Sequence, residues 1–118
     1  MRKKILIIDD DDELQQIFPL MFEHRDFELL SVLDIENLEQ TIAEFQPDLI
    51  LLDIWIGPVD GRVVCNFIKS HQPTADIPIL LISAVEIDID DVNCRPDAIL
   101  QKPFDVNELL SLMDELLQ

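Results

Sequence analysis

The sequence predicts a doubly wound α/β domain, and three observations predict it. Three short runs are apolar without interruption: Ile5-Leu6-Ile7-Ile8, Leu49-Ile50-Leu51-Leu52 and Ile79-Leu80-Leu81-Ile82. Unbroken rather than alternating hydrophobicity means that both faces of a strand are covered, as in a parallel sheet between helices. The segments between the runs carry helical spacing, which supplies those covering layers.

Taken in order, Ile5–Ile8 is the first strand. Leu14, Ile17, Phe18 and Met21 form the stripe of a first helix. Pro19 falls inside that stripe, where its missing N–H and its ring predict a kink or a break. Phe27 to Leu33 is a weaker second strand, and Leu38, Ile42 and Phe45 mark a second helix. After the strand Leu49–Leu52, Val63, Val64, Phe67 and Ile68 mark a third helix, followed by the strand Ile79–Ile82. The stretch VEIDIDDVNCRPDA, residues 85–98, has Ile at alternate positions, many Asp and a Pro, and predicts a short or irregular fourth helix. Ala98–Leu100 is a fifth strand. Leu109, Leu110, Leu112, Met113 and Leu116 form a closing helix with Asp105 as its N-cap. This alternation fits a flavodoxin-like five-stranded parallel sheet, order 2-1-3-4-5, with helices on both faces.

No repeat, linker or low-complexity stretch divides the 118 residues, so one domain is expected over residues 1–118. With 25 acidic and 8 basic side chains the net charge is −17, which repels nucleic acid and anionic membranes. A 48% hydrophobic content is too high for a disordered acidic tail. The apolar runs are far shorter than the roughly 20 residues of a membrane helix. Met1-Arg2-Lys3-Lys4 starts like a signal peptide, but the acids from Asp9 to Glu13 arrive before an apolar core could form. Two cysteines, Cys65 and Cys94, make no disulfide framework, so a reducing compartment, the cytoplasm, is expected. Gly57 and Gly61 are the two glycines, so no dinucleotide-binding or P-loop motif can be written. His24 and His71 without CxxC or HExxH spacing make zinc improbable, and both read as surface residues. The chemistry left is that of carboxylates.

Each strong apolar run stops at a polar residue: Asp9-Asp10, Asp53 and Ser83, while the fifth strand runs into Gln101-Lys102. In a parallel sheet these ends share the carboxyl edge, where open α/β folds place ligands. Asp11 and Asp12 read as turn and cap residues without chemistry. Two unit charges about 4 Å apart repel by about 4 kcal/mol at an effective dielectric of 20, so clustered Asp9, Asp10 and Asp53 call for a divalent cation. Oxygen donors suit Mg²⁺ or Mn²⁺. Lys102 adds a point charge and Ser83 a hydroxyl for phosphoryl oxygens. A carboxylate nucleophile, a metal, a lysine and a hydroxyl make a phosphoryl-transfer site with an acyl-phosphate intermediate.

The ordered motifs ILIIDDD, LILLDIWIGPVDG, ILLISA and LQKPF resemble those of a response-regulator receiver domain of bacterial two-component signalling, across essentially the whole chain. The resemblance implies that Asp53 accepts a phosphoryl group from the phosphohistidine of a histidine kinase or histidine phosphotransfer protein. It implies that Asp10, Asp53 and the Trp55 carbonyl hold Mg²⁺, with Asp9 close by and partly acting through water. Ser83, Ala84 and Lys102 would bind the phosphoryl oxygens, and Lys102-Pro103 is a candidate cis peptide. An output protein or domain is a further implied partner; direct nucleic-acid or membrane binding is not expected.

Several positions depart from the family pattern. Gly57 stands where proline is common, with Pro58 one place later, while the distance to Asp60-Gly61 is kept. Trp55 is bulky beside the acceptor; with Val85 it is expected to restrict an attacking water and lengthen the life of the phospho-form. Ile99 stands where the family carries an aromatic switch residue. The first helix is the family's usual kinase-docking surface, so partner choice is expected to depend on Pro19. Cys65 and Cys94 read as packing and loop residues. Nothing follows the last helix, so an output module of its own is not expected, whether the chain acts alone or is a piece of a longer protein. Two rivals stand beside this reading. A haloacid-dehalogenase-like phosphatase needs a second Asp at position 55, which is Trp. A degenerate receiver would keep the fold for protein contacts alone, and the intact Asp9, Asp10, Asp53, Ser83 and Lys102 oppose it.

Overall fold

In the computed structural model, which describes residues 2–84 and 95–118, the apolar runs are the middle of a parallel sheet. The strands are β1 (Lys3–Ile8), β2 (Phe27–Val32), β3 (Leu49–Asp53), a short pair β4 (Trp55–Ile56) and β5 (Val59–Asp60), β6 (Ile79–Ser83) and β7 (Ala98–Gln101). The helices are α1 (Asp12–Met21), α2 (Leu38–Phe45), α3 (Gly61–Ser70) and α4 (Val106–Leu116). The large sheet runs β2-β1-β3-β6-β7, all neighbours parallel. Setting aside the β4–β5 pair, this is the 2-1-3-4-5 order expected from the sequence.

Strand periodicity sorts the core into two layers. Leu6, Ile8, Ile50, Leu52, Ile79 and Leu81 face Leu38 and Ile42 of α2 and Val64, Cys65 and Ile68 of α3. Their neighbours Ile5, Ile7, Leu49, Leu51, Leu80 and Ile82 face Phe18 of α1 and Leu109 and Met113 of α4. Successive side chains point to opposite faces, so every residue of an apolar run is buried against one helix pair or the other. Truncating one of these core side chains to Ala costs about 2–5 kcal/mol.

The Asp11 and Asp105 caps follow the sequence. Asp11 accepts from the backbone N–H groups of Glu13 and Leu14 at the start of α1, and Asp105 accepts from Asn107 at the start of α4. Asp60 caps α3 through Arg62 N–H. Pro19 does not break α1, which runs on to Met21 and closes with Phe22 N–H on the Phe18 carbonyl at 3.1 Å. The helix end is held by ring contacts of Phe18 with Phe22 and of Phe22 with Phe27, centroids 5.8 and 5.6 Å apart. Packing of this aromatic row offsets the backbone bond that proline removes.

The segment read as a short or irregular fourth helix, with Val85 and Cys94, lies outside the described residues except for its end. There Asp97 pairs with Lys69 at 2.6 Å and accepts from Ile79 N–H at 2.8 Å, fastening α3 to the β6–β7 edge. Cys65 is buried in the core, as its stripe predicted. His24 is exposed, and His71 is half-exposed between Glu39 at 3.0 Å and a stacked Phe67 ring. No helix among the described residues is long and apolar enough to cross a membrane.

Candidate functional site

Register brings the acids together. Ile8 of β1 pairs with Leu52 of β3, so the next residues, Asp9 and Asp53, leave the sheet side by side. Adjacent strands lie about 4.8 Å apart, which sets the spacing of their side chains. The carboxylate oxygens of Asp9, Asp10 and Asp53 lie within 4.8 Å of one another. Asp9 and Asp53 are buried, whereas Asp10 is exposed.

Each acid is held differently. Asp9 Oδ1 accepts from Asp11 N–H at 2.9 Å. Asp10 Oδ2 accepts from Gly57 N–H at 2.7 Å, across the turn between β4 and β5. Gly57 has φ +59°, a conformation that glycine adopts without strain. Lys102 Nζ stands 3.8 Å from both Asp9 Oδ2 and Asp53 Oδ1, an ion-pairing rather than a hydrogen-bonding distance. Its side chain leaves the end of β7, where Lys102 N–H donates to the Ser83 carbonyl at 2.6 Å and the Lys102-Pro103 bond is cis. Ser83 is fully buried at the end of β6, and Ala84 beyond it is exposed.

Burial pushes Asp9 up to about 6, assisted by the neighbouring Asp53 charge; the Asp11 N–H and Lys102 oppose the rise. Asp53 is also raised, by burial first, against Lys102 and the N–H groups of Ile54 and Trp55. Two buried acids facing one ammonium carry more negative charge than the protein itself neutralises. Three hard oxygen donors around that excess fit a divalent cation of the Mg²⁺ class.

The loop after β3 is better ordered than the sequence suggested. Trp55 and Ile56 pair antiparallel with Asp60 and Val59, so the residues after Asp53 form a small hairpin. Trp55 remains 49% exposed, beside the site rather than in the core. Gly61 closes the hairpin: its N–H donates to the Ile54 carbonyl at 2.5 Å, and a Cβ there would lie inside the shell of the Asp53 carbonyl oxygen and 2.9 Å from Ile54 Cα. Asp60 is held below the usual carboxylate range, chiefly by the Arg62 side chain that chelates it.

Thus Asp9, Asp10, Asp53, Ser83 and Lys102 meet at one edge as expected, with Trp55 on the adjoining hairpin. Three features were not anticipated: the Asp10–Gly57 bond, the backbone contact of Gly61 and a side-chain bond from Gln15 to the Asp9 carbonyl. A glycine eight residues after Asp53 was a usable signal for the second; the other two leave no pattern in the sequence.

Comparison with known proteins agrees with this geometry. A family model described as "Response regulator receiver domain" matches residues 5–114. The "DNA-binding dual master transcriptional regulator RpaA" of Synechocystis is 34% identical over 118 residues, covering 98% of this chain and 49% of RpaA. The "Transcriptional regulatory protein GltR" of Pseudomonas aeruginosa is 31% identical over 119 residues, covering 98% of this chain and 49% of GltR. The chain therefore spans about half the length of the curated relatives it matches. A CheY-like receiver domain protein from Methanospirillum hungatei shares the fold, with TM-score 0.85 at 22% identity, over 99% of this chain and 94% of that one.

Proposed function

The chain belongs to the response-regulator receiver family, and from that premise we propose that Asp53 is its phosphoacceptor and that the edge around it binds Mg²⁺. The observation that carries this reading is a buried carboxylate at the end of the central strand, faced by Lys102 at 3.8 Å and by two further acids. Receivers take phosphoryl groups from histidine kinases, so the donor is the phosphohistidine of a kinase or phosphotransfer protein. An Asp53 carboxylate oxygen attacks phosphorus; a P–O bond forms, the P–N bond breaks, and the imidazole leaves with a proton from solvent. The product is an acyl phosphate. Lys102 would then pair with a phosphoryl oxygen in place of the carboxylate, and the Ser83 hydroxyl and Ala84 N–H would bind the remaining oxygens. Asp10, Asp53 and the Trp55 carbonyl would hold Mg²⁺ (or Mn²⁺), with Asp9 assisting; the cation supplies charge neutralisation for the phosphoryl group.

The domain catalyses its own phosphorylation and dephosphorylation and no other reaction in this reading, and it acts in the cytoplasm on behalf of an output partner or domain. Incubation with acetyl phosphate and Mg²⁺, followed by intact mass, tests it. A gain of one phosphoryl, absent in Asp53→Asn, is expected. An unchanged mass for the parent protein, or the same gain in Asp53→Asn, refutes it.

A further inference from the structure

We propose that Gln15 is a positioning residue for the acidic pair, its side-chain amide clamping the Asp9 carbonyl to the Val32 carbonyl and so fixing where the Asp9 and Asp10 carboxylates point. The inference rests on the cation-binding role proposed for that pair. Gln15 Nε2 donates to the Asp9 carbonyl at 2.9 Å and to the Val32 carbonyl at 3.1 Å. Asp9 N–H also donates to Val32, at 3.1 Å. The β1–β2 ladder ends at the pair Ile8 and Val32, so the Asp9 carbonyl stands one residue beyond the last strand partner. A backbone carbonyl in that position needs a donor, and Gln15 reaches back from α1 to provide it.

The carbonyl so held belongs to the peptide plane that joins Asp9 to Asp10. An uncompensated change in ψ of Asp9 or φ of Asp10 would turn that carbonyl away from Gln15 and reorient the two side chains relative to each other. With the plane fixed, Asp9 turns inward to Lys102, while Asp10 turns outward to Gly57 N–H. The amide is not there for packing. Both of its protons are used, and its Oε1 is buried with no partner among the described residues. A flipped amide would set Oε1 against two carbonyl oxygens, so the orientation is determined. An unpaired buried acceptor is unfavourable, and an apolar side chain would avoid it. The donors explain why an amide stands there.

Three variants test the clamp. Gln15→Met keeps the length and loses the donors; Gln15→Lys keeps donors within reach of both carbonyls; Gln15→Asn keeps the amide but is one methylene too short, and stands in if the Met variant does not fold. Trp55 is the single tryptophan and there is no tyrosine, so its fluorescence reports Mg²⁺ binding from one place. Groups that orient metal ligands typically change affinity by 10- to 100-fold, and a clamp acting through a ligand's backbone belongs at about 10-fold. The expected result is an Mg²⁺ Kd about 10-fold weaker in Gln15→Met, restored to within about twofold in Gln15→Lys, measured well below each variant's Tm. A merely structural residue would lower Tm and leave Kd in place. Saturable Mg²⁺ binding by the parent with an equal Kd in Gln15→Met overturns the clamp alone, as does a loss that Gln15→Lys does not restore. A parent protein without saturable Mg²⁺ binding overturns the cation site and the clamp with it.

Discussion

Replacing Gly61 by alanine asks whether the backbone of Asp53, the proposed acceptor, is held as tightly as its surroundings imply. The added Cβ would enter the shell of the Asp53 carbonyl oxygen, 2.9 Å from Ile54 Cα and 3.0 Å from the Asp53 carbonyl carbon. Ordinary contacts begin near 3.4 Å, so the carbonyl oxygen must retreat by more than about 1 Å and the two carbons by about 0.5 Å. No rotamer change can relieve the clash, because every atom struck is backbone. Nor can β3 give way freely, since Asp53 pairs with Ile82 and Ile54 N–H bonds the Ile82 carbonyl at 2.9 Å. Overpacking costs about 1–3 kcal/mol, and a site lined by central-strand backbone belongs at the upper end. Alanine returns up to about 1 kcal/mol through helix propensity, which leaves a net loss of about 2 kcal/mol. For a domain of this size that is a fall of about 8 °C in Tm. The Asp53 carboxylate moves with its backbone, and misplacement of a reacting group by an ångström costs about 100-fold; a shift of that size at the Asp53 carbonyl predicts up to about 100-fold slower phosphorylation by acetyl phosphate. Calorimetry and intact mass give the two readouts. An alanine variant with the parent's Tm and rate would refute the claim that Gly61 is required by close approach.

Other expectations follow from the same site. Lys102→Met removes the cation facing both buried acids, so Mg²⁺ should bind more tightly while acetyl-phosphate labelling slows by about 100-fold, the cost of losing a key oxyanion partner; an unchanged rate would remove Lys102 from the mechanism. Because Asp9 titrates at about 6, Mg²⁺ competes with a proton there, and its Kd should weaken by about 10-fold between pH 7 and pH 5, as read by Trp55 fluorescence. The metal-free protein should respond oppositely: a folded pKa above the ordinary 3.8 favours the folded state at low pH, so this group's contribution is lost as pH rises from about 4 through about 6. Urea denaturation across that window, compared with Asp9→Asn, isolates the effect; equal slopes would exclude it. Trp55→Asn should shorten the life of the phospho-form several-fold by admitting water, and an unchanged half-life would assign the ring to packing alone.

What the sequence made legible, and what it did not, divides along the sheet. Continuous burial writes itself into composition, so Ile5–Ile8, Leu49–Leu52 and Ile79–Ile82 identified three strands and their common direction. Once the order of parallel strands is fixed, the residues at their carboxyl ends must converge, and Asp9, Asp53, Ser83 and Lys102 did so. Strand limits were less visible: β1 begins at Lys3, because Lys3 and Lys4 pair with Phe27 and Glu28 through backbone groups that do not depend on side-chain polarity. The hairpin Trp55–Asp60 was hidden for the same reason, its pairing being antiparallel backbone contact over two residues a side. Pro19 shows the opposite case: a local signal strong enough for a break did not end α1, whose end is held by packing of Phe18, Phe22 and Phe27.

The site's support is of this backbone kind throughout. Gly57 N–H holds Asp10, Asp11 N–H holds Asp9, Ser83 carbonyl holds the Lys102 backbone, and Gly61 closes on the Asp53 carbonyl. Side-chain chemistry at the edge can therefore be read from residue types, whereas its placement to within an ångström is set by main-chain N–H and carbonyl groups, which carry no residue-type signal except where glycine is needed, at Gly57 and Gly61. That distinction makes Gly57 the informative departure from the family pattern: proline, common at its place, has no N–H to give Asp10. In this chain the hairpin that carries Trp55 is tied directly to an acid of the proposed cation site. Loading that site should consequently alter the hairpin as well. With two glycines in the sequence, the Gly57 amide is easily resolved by NMR, and its resonance should shift on Mg²⁺ addition in step with the Trp55 signal. A Gly57 resonance that stays fixed while Trp55 responds would show that Asp10 and the hairpin act independently.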